Sequence, residues 1–248
     1  MMITSLTNQK VKDLCRLHQR KYRKETYLLY DQKMIDKALE CGLVKMLIKK
    51  EGSKFKYKDE LIVSHDVMAK ISEGKDITEV AECYIKKDVI KKADRLILLD
   101  DLADPQNIGM IIDTARIFGF DGVILSENSA DIYNEKCLEA AGTSFFDMKI
   151  VRQDLDMTIK DLKDQGLKVL ATGLYNETKD LYDTKVPDRY AIIMGNEGHG
   201  IKERYYMMAD EVIKIPMANI DSLNVAVAAS IVMEWYTNSA HQSLAHQR

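Results

Sequence analysis

Near its carboxyl end the chain reads Ile215-Pro-Met-Ala-Asn-Ile-Asp-Ser-Leu-Asn-Val-Ala-Val-Ala-Ala-Ser-Ile231, a polar loop that runs into a helix of small residues with Ser222 and Asn224 at its mouth. A hydroxyl and a carboxamide in that position do one of two jobs. They cap the helix, or they turn their donors and acceptors toward a ligand. Pro216 fixes one φ and removes a backbone donor, which stiffens the chain around Ile215 and Met217 and leaves nearby carbonyls free to face a bound molecule. Ala226, Ala228, Ala229 and Ser230 then present a surface thin enough for another backbone or a second subunit to approach.

Two upstream segments have a similar form. In Leu98-Leu-Asp-Asp-Leu-Ala-Asp-Pro-Gln-Asn107 an apolar strand ends in acids and a Pro-containing turn, with Asn107 at a helix start, where an N-cap is the plain alternative to a site. In Tyr190-Ala-Ile-Ile-Met-Gly-Asn-Glu-Gly-His-Gly-Ile201 a buried-type strand empties into a loop with glycines at 195, 198 and 200. That spacing matches neither the dinucleotide fingerprint nor the phosphate loop with its Lys, so a plain turn is the alternative here. His199 belongs to no histidine cluster and is assigned no chemistry.

Taken in this order, the three segments resemble the motifs of the SpoU (TrmH) branch of the SPOUT RNA methyltransferases: D-P-x-N-x-G, G-N-E-G-x-G and I-P-M followed by S-L-N-V-A-x-A, spanning residues 98 to 231. The run Ile3-Thr-Ser-Leu-Thr-Asn-Gln-Lys-Val-Lys also resembles that family's substrate-binding domain, although Tyr30-Asp stands where many relatives carry Glu-Gly. The resemblance implies an α/β fold with a parallel sheet, its carboxyl-terminal part tied into a deep trefoil knot, an exception to the rule of unknotted chains. It also implies methyl transfer from S-adenosylmethionine to a ribose 2′-hydroxyl in structured RNA, with rRNA favoured over tRNA, by a homodimer without metal.

Carried over residue by residue, the motifs implicate Gly195, Asn196, Gly198, Ile215, Pro216, Met217, Leu223 and Asn224 in cofactor binding. Asn107, Glu197, Ser222 and Asn224 become the polar groups of catalysis, with Glu197 also in a position to orient motif-one side chains. One departure bears on the reaction. The family's motif-one Arg lies six residues after the Asn, where this chain has Asp113, and Arg116 stands where relatives often carry Asp. Residues three apart on a helix are neighbours, so the expected arrangement is an Asp113–Arg116 pair with Arg116 gripping phosphate and Asp113 as its partner or as a base. Loss of methyl transfer, leaving a knotted RNA-binding protein, is one alternative reading, and a tRNA methyltransferase of the same family is another. The motif-three loop is also about one residue shorter than in many relatives, with Asn219 and Asp221 where Gly and Glu are common.

These motifs need elements to position them. From residue 95 onward the pattern alternates strand and helix: strands at 95–100, 122–125, 145–151, 167–172, 190–194 and 211–215, and helices at 107–118, 134–141, 154–165, from about 201, and 223–239. Such alternation predicts parallel strands covered by helices, with ligands at the carboxyl ends of the strands, where all three motifs begin. Residues 1–86 read as a smaller α/β unit: helix 8–18, strand 27–30, helix 32–41, strands 44–48 and 61–64, helix 66–72 and strand 79–85. The charged stretch 87–94 reads as a linker, giving a methyltransferase domain at 95–248.

A chain of 248 residues with 46% apolar and 30% charged residues has enough material for two modest cores, and no apolar run approaches a membrane span. With no signal-like start, a cytosolic protein is expected. The four cysteines are scattered without metal or redox spacing and read as reduced thiols. Net charge is only −3, yet Lys10, Lys12, Arg16, Arg20, Lys21, Arg23 and Lys24 face a single acid, Asp13. From this run Arg16, Arg20, Lys21, Arg23 and Lys24 are expected to contact RNA phosphates, the alternative being a solvated helix face.

Overall fold

The computed structural model describes residues 2–174, 178–218 and 223–245, with side chains described through residue 239. The chain divides into two compact units: residues 1–87 with 133–135, and residues 88–132 with 136–248.

In the first unit, α1 (Gln9–Arg16) starts at Asn8, whose side chain accepts from the Lys10 N–H and so satisfies one orphan donor of the first turn. It is followed by β1 (Thr26–Leu29), α2 (Gln32–Glu40), β2 (Val44–Lys50), β3 (Glu60–Val63), α3 (His65–Ile71) and β4 (Glu79–Tyr84). The sheet order is β1-β4-β2-β3, with β4 antiparallel to both neighbours and β3 parallel to β2. Val11 and Leu14 of α1 pack with Leu28, Ile48, Val67, Met68 and Val80 in one apolar cluster. The basic residues of α1 are thereby left on its outer face.

The second unit contains β5 (Arg95–Leu99), α4 (Pro105–Ile117), β6 (Gly122–Leu125), α5 (Glu135–Ala141), α6 (Ser144–Asp147), β7 (Ile150–Arg152), α7 (Leu155–Asp164), β8 (Lys168–Thr172), β9 (Thr178–Asp180), β10 (Tyr190–Met194), α8 (Glu203–Met208), β11 (Glu211–Lys214) and α9 (Val225–Ala245). The strands form one parallel sheet in the order β7-β6-β5-β10-β8-β11-β9. Its central strands are apolar throughout, Leu96 to Leu99 and Tyr190 to Met194 being buried, as expected of a sheet covered on both faces.

Three differences from the sequence reading have local causes. The apolar run expected to be a strand at 145–151 is split: α6 begins just after Gly142 (φ +53), Phe145 and Phe146 bury against each other edge to face, and only Ile150–Arg152 pairs with β6. Charged β9 carries no alternation to read, because backbone pairing to β11 is what makes it a strand. And α4 begins two residues early, with Asp104 as N-cap accepting from the Gln106 N–H and Pro105 at its first position. Asn107 is therefore a buried residue inside the first turn, and its side chain is free for work other than capping.

Candidate active site

Because the strands run parallel, the chain leaves β5, β10, β8 and β11 on one edge of the sheet, and these four are consecutive neighbours. The loops after β5, β10 and β11 carry the three motifs, which brings segments about ninety to a hundred and twenty residues apart together.

A short chain of hydrogen bonds joins them. The Glu197 carboxylate accepts from the backbone N–H groups of Ala103 (3.0 Å) and Asp104 (3.1 Å) and from Nδ2 of Asn107 (3.0 Å). Asn107 in turn accepts through Oδ1 from Nδ2 of Asn224 at 3.0 Å. Oδ1 of Asn224 accepts from the N–H groups of Ala226 (2.9 Å) and Val227 (3.3 Å), so Asn224 caps α9 and also reaches motif one. Partial desolvation raises the pKa of Glu197, but the donors from Ala103, Asn107 and Asp104 outweigh it and hold the carboxyl below its ordinary value. It stays ionised at neutral pH.

The motif-two loop is folded back on itself. Asn196 and Gly200 exchange two backbone hydrogen bonds of 3.0 and 2.9 Å, and Oδ1 of Asn196 accepts from the N–H groups of Gly198 and His199. Nδ2 of Asn196 donates to the Asp101 carbonyl at 2.6 Å, tying this loop to motif one. Gly195 is required by that fold: a Cβ there would lie 2.3 Å from the Gly200 carbonyl carbon and 2.4 Å from the Ile201 nitrogen. The obstruction to a side chain at 195 thus lies in the loop's own backbone.

Lys202 lies outside the three motifs. Its ammonium bridges buried Asp100 (2.9 Å) and Asp101 (2.6 Å), and its N–H donates to the second Asp100 oxygen at 2.8 Å, clamping the far end of the glycine loop to the end of β5. Two acids at a strand end and a lysine a hundred residues later carry no shared spacing, so only the fold pairs them.

The loops enclose a cavity of about 420 Å³, within the range of small-molecule sites. Among the residues assigned to a cofactor, Gly195, Asn196, Gly198, Ile215, Met217 and Leu223 lie on its wall, as do Glu197, His199, Tyr206 and Ala228. Pro216 and Asn224 are not on the wall, and the Asn224 amide is spent on Asn107 and on α9. Ala226 and Ala229 are buried within the protein, so half of the small-residue stripe faces inward. Ser222 lies outside the described residues, as do Asn219 and Asp221.

The expected Asp113–Arg116 pair does not form. Asp113 accepts a 2.7 Å hydrogen bond from Oγ of Ser144, and the exposed Arg116 reaches toward Asp147, Nε to Oδ2 3.9 Å. Both side chains turn to α6, and neither lies on the cavity wall. Asp113 lies six residues beyond Asn107, about 9 Å along the axis at 1.5 Å per residue.

In the first unit, Arg16, Arg20, Lys21 and Lys24 are exposed. Arg23 differs from them in being partly buried: Nη1 donates to the carbonyls of Leu17 (2.7 Å) and His18 (2.8 Å), closing the turn after α1. Among the described residues no helix is long and apolar enough to cross a membrane, and no cluster of metal ligands is present.

A parallel sheet with three interlinked loops around a cavity at its carboxyl edge defines an α/β domain built to hold a small molecule beside a polar relay. Residues 94–234 match the SpoU rRNA Methylase family. Over 241 residues, 93% of this chain and 97% of the relative, the chain is 32% identical to the 23S rRNA (guanosine(2553)-2′-O)-methyltransferase RlmP of Bacillus subtilis. It superposes on the AdoMet-bound rRNA methyltransferase from Sinorhizobium meliloti with a TM-score of 0.85 and 26% identity, covering 96% of this chain and 97% of that one. The SpoU methyltransferase AviRb from Streptomyces viridochromogenes shares the fold, with a TM-score of 0.84 at 23% identity over 95% of this chain and 99% of that one. The chain belongs to the SpoU rRNA methylase family.

Proposed function

We propose that the protein transfers a methyl group from S-adenosylmethionine to a ribose 2′-hydroxyl in structured RNA, with rRNA as the substrate. The observation that carries this is the relay Glu197–Asn107–Asn224 beside a cavity walled by the loops of motifs two and three. That wall fits the cofactor: polar Glu197 and His199 stand at one side, and Ile213, Leu223 and Val225 offer apolar contact. When bound, S-adenosylmethionine supplies the electrophilic methyl. The rest falls to the chain. A 2′-hydroxyl is a weak acid and a poor nucleophile, so the protein's work is to hold it in line and ease its proton away. Asn107 and Asn224 supply oriented amides, Glu197 fixes Asn107, and Asp113 or Arg116 meets the substrate once RNA is docked. Mapping 2′-O-methyl sites in total RNA by mass spectrometry, with and without this gene, tests the reading: one rRNA site should be lost. An unchanged map together with no calorimetric heat for S-adenosylmethionine on folded protein rejects it.

Asp113, standing where the family pattern has Arg, supports a second reading in which methyl transfer is lost and RNA binding remains. The two part on a mutant series. Arg116→Ala is expected to lower kcat/KM at least ten-fold and Asp113→Asn less. Activity that appears only in the double variant Asp113→Arg, Arg116→Asp favours the binding protein.

Phosphate contact by the basic run predicts that replacing Arg16, Arg20, Lys21 and Lys24 with Gln weakens RNA binding and flattens the dependence of log K on log salt by several units. An unchanged slope returns the run to a solvated face. Assembly as a homodimer is supported by exposed Met110, Ile117 and Val227 on α4 and α9, which leave apolar surface uncovered in a single chain. Light scattering at micromolar concentration is expected to give twice the 28.4 kDa chain mass. Reading the carboxyl-terminal third as the family's trefoil knot is supported by β10 lying between β5 and β8, with β11 beyond β8.

A further inference from the structure

The first unit holds a cleft of about 390 Å³ that the basic run alone does not explain, lined among others by Lys10, Arg16, Tyr22, Lys45 and Glu82. Tyr22 is 42% exposed, so its ring is open to solvent at the cleft. It is held rather than loose: the Arg16 guanidinium carbon lies 5.8 Å and Lys21 Nζ 5.0 Å from its ring centroid. It also forms part of a short 3-10 turn, Arg20–Tyr22, which Arg23 ties to the end of α1.

The cations around the cleft are differently secured. Lys45 is anchored by Glu82 at 2.8 Å, and Glu82, nearly buried, also accepts from Oγ1 of Thr26 at 2.9 Å. The hydrogen bond that Lys45 donates to Glu82 raises the Lys45 pKa, so that ammonium stays charged. Arg16 pairs with Asp13 at 3.0 Å, but both side chains are 54% exposed. An exposed pair of that kind holds its guanidinium weakly, and a phosphate can compete for it. Lys10 has no such acid among the described ion pairs. A fixed ring open to solvent, flanked by cations and facing a cleft, is the arrangement that accepts an unstacked base with its phosphates. Double-stranded RNA offers no free base face to such a ring.

We propose that this cleft is a subsite for one unpaired nucleotide of the RNA substrate, its base stacked on Tyr22 and its flanking phosphates on Lys10, Arg16 and Lys45. The proposal rests on the reading of RNA as substrate. It adds that recognition away from the methylated ribose requires a single-stranded or bulged position.

The test measures binding of the full chain to a labelled uridine-rich hexaribonucleotide and to a structured rRNA fragment, by fluorescence anisotropy across a salt series. Tyr22→Ala is expected to weaken hexamer binding about ten-fold or more while leaving the salt slope unchanged, because stacking releases no counterions. Tyr22→Phe, which keeps the ring, is expected to stay within about two-fold of the unmodified chain. Arg16→Gln is expected to flatten the slope. Exposure of Tyr22 makes loss of fold a minor concern, and circular dichroism of Tyr22→Ala checks it. Hexamer binding that is absent, or unchanged in folded Tyr22→Ala, while the structured fragment binds with a normal salt slope overturns the subsite and leaves the RNA reading intact. Failure of both RNAs to bind overturns the RNA reading together with it.

Discussion

Gly195→Val is expected to abolish S-adenosylmethionine binding, with calorimetric affinity falling by at least a hundred-fold, and to lower thermal stability even without ligand. The argument is steric and internal. The first side-chain carbon already falls 2.3 Å from a backbone carbon of Gly200, and the pair of hydrogen bonds between Asn196 and Gly200 leaves that segment nowhere to yield. Overpacking against a backbone costs on the order of 1–3 kcal/mol or more, and here the strain is released by opening the loop that forms one wall of the cavity. Gly195→Ala carries the same clash with less bulk and should share the direction of both effects. A Gly195→Ala protein with unchanged affinity and melting temperature would show that the loop is softer than its hydrogen bonds imply.

Glu197→Gln is the second large effect, about a hundred-fold in kcat/KM with the fold retained. The carboxylate now accepts from three N–H donors on two oxygens. An amide offers one accepting oxygen and turns an NH₂ toward a donor, so either a motif-one N–H or Asn107 loses its partner. Asn107 then no longer presents its oxygen to Asn224 in a fixed direction, and displacement of about 1 Å at a reacting centre is enough for a loss of that size. The substitution also carries a pH signature. Since the folded pKa of Glu197 lies below its ordinary value of 4.5, the carboxylate contributes stability that is fully present above 4.5 and is lost as pH falls through the lowered value. The unmodified chain should therefore lose more melting temperature than Glu197→Gln between pH 5 and pH 3. Parallel acid curves for the two proteins would remove Glu197 from the relay.

The motifs could be read because each is local. Pro105 at the start of α4, the spaced glycines at 195, 198 and 200, and Asn224 ahead of the alanines announce themselves within a dozen residues. So did most strands of the parallel sheet, as short apolar runs. What could not be read was whatever depends on a partner far along the chain. Lys202 was invisible as a clamp because Asp100 and Asp101 meet it only through the pairing of β5 with β10. Asp113 and Arg116 satisfied the neighbour rule for a helix, yet α6 offered Ser144 and Asp147, and that helix was itself hidden in an apolar run expected to be a strand. Arg23 looked like its basic neighbours until the carbonyls of Leu17 and His18 claimed it.

The bonds of the relay also say when the site can come into being. Asn107 waits for Glu197, 90 residues later, and for Asn224, 117 residues later. Contacts of such sequence separation close large loops and form slowly. During synthesis, at roughly 5–20 residues per second, a nascent chain that already displays α1 and its basic residues still has no relay until the start of α9 has left the exit tunnel. The basic surface thus precedes the relay by many seconds, and a fragment ending between α1 and Asn224 carries the cationic residues with no relay.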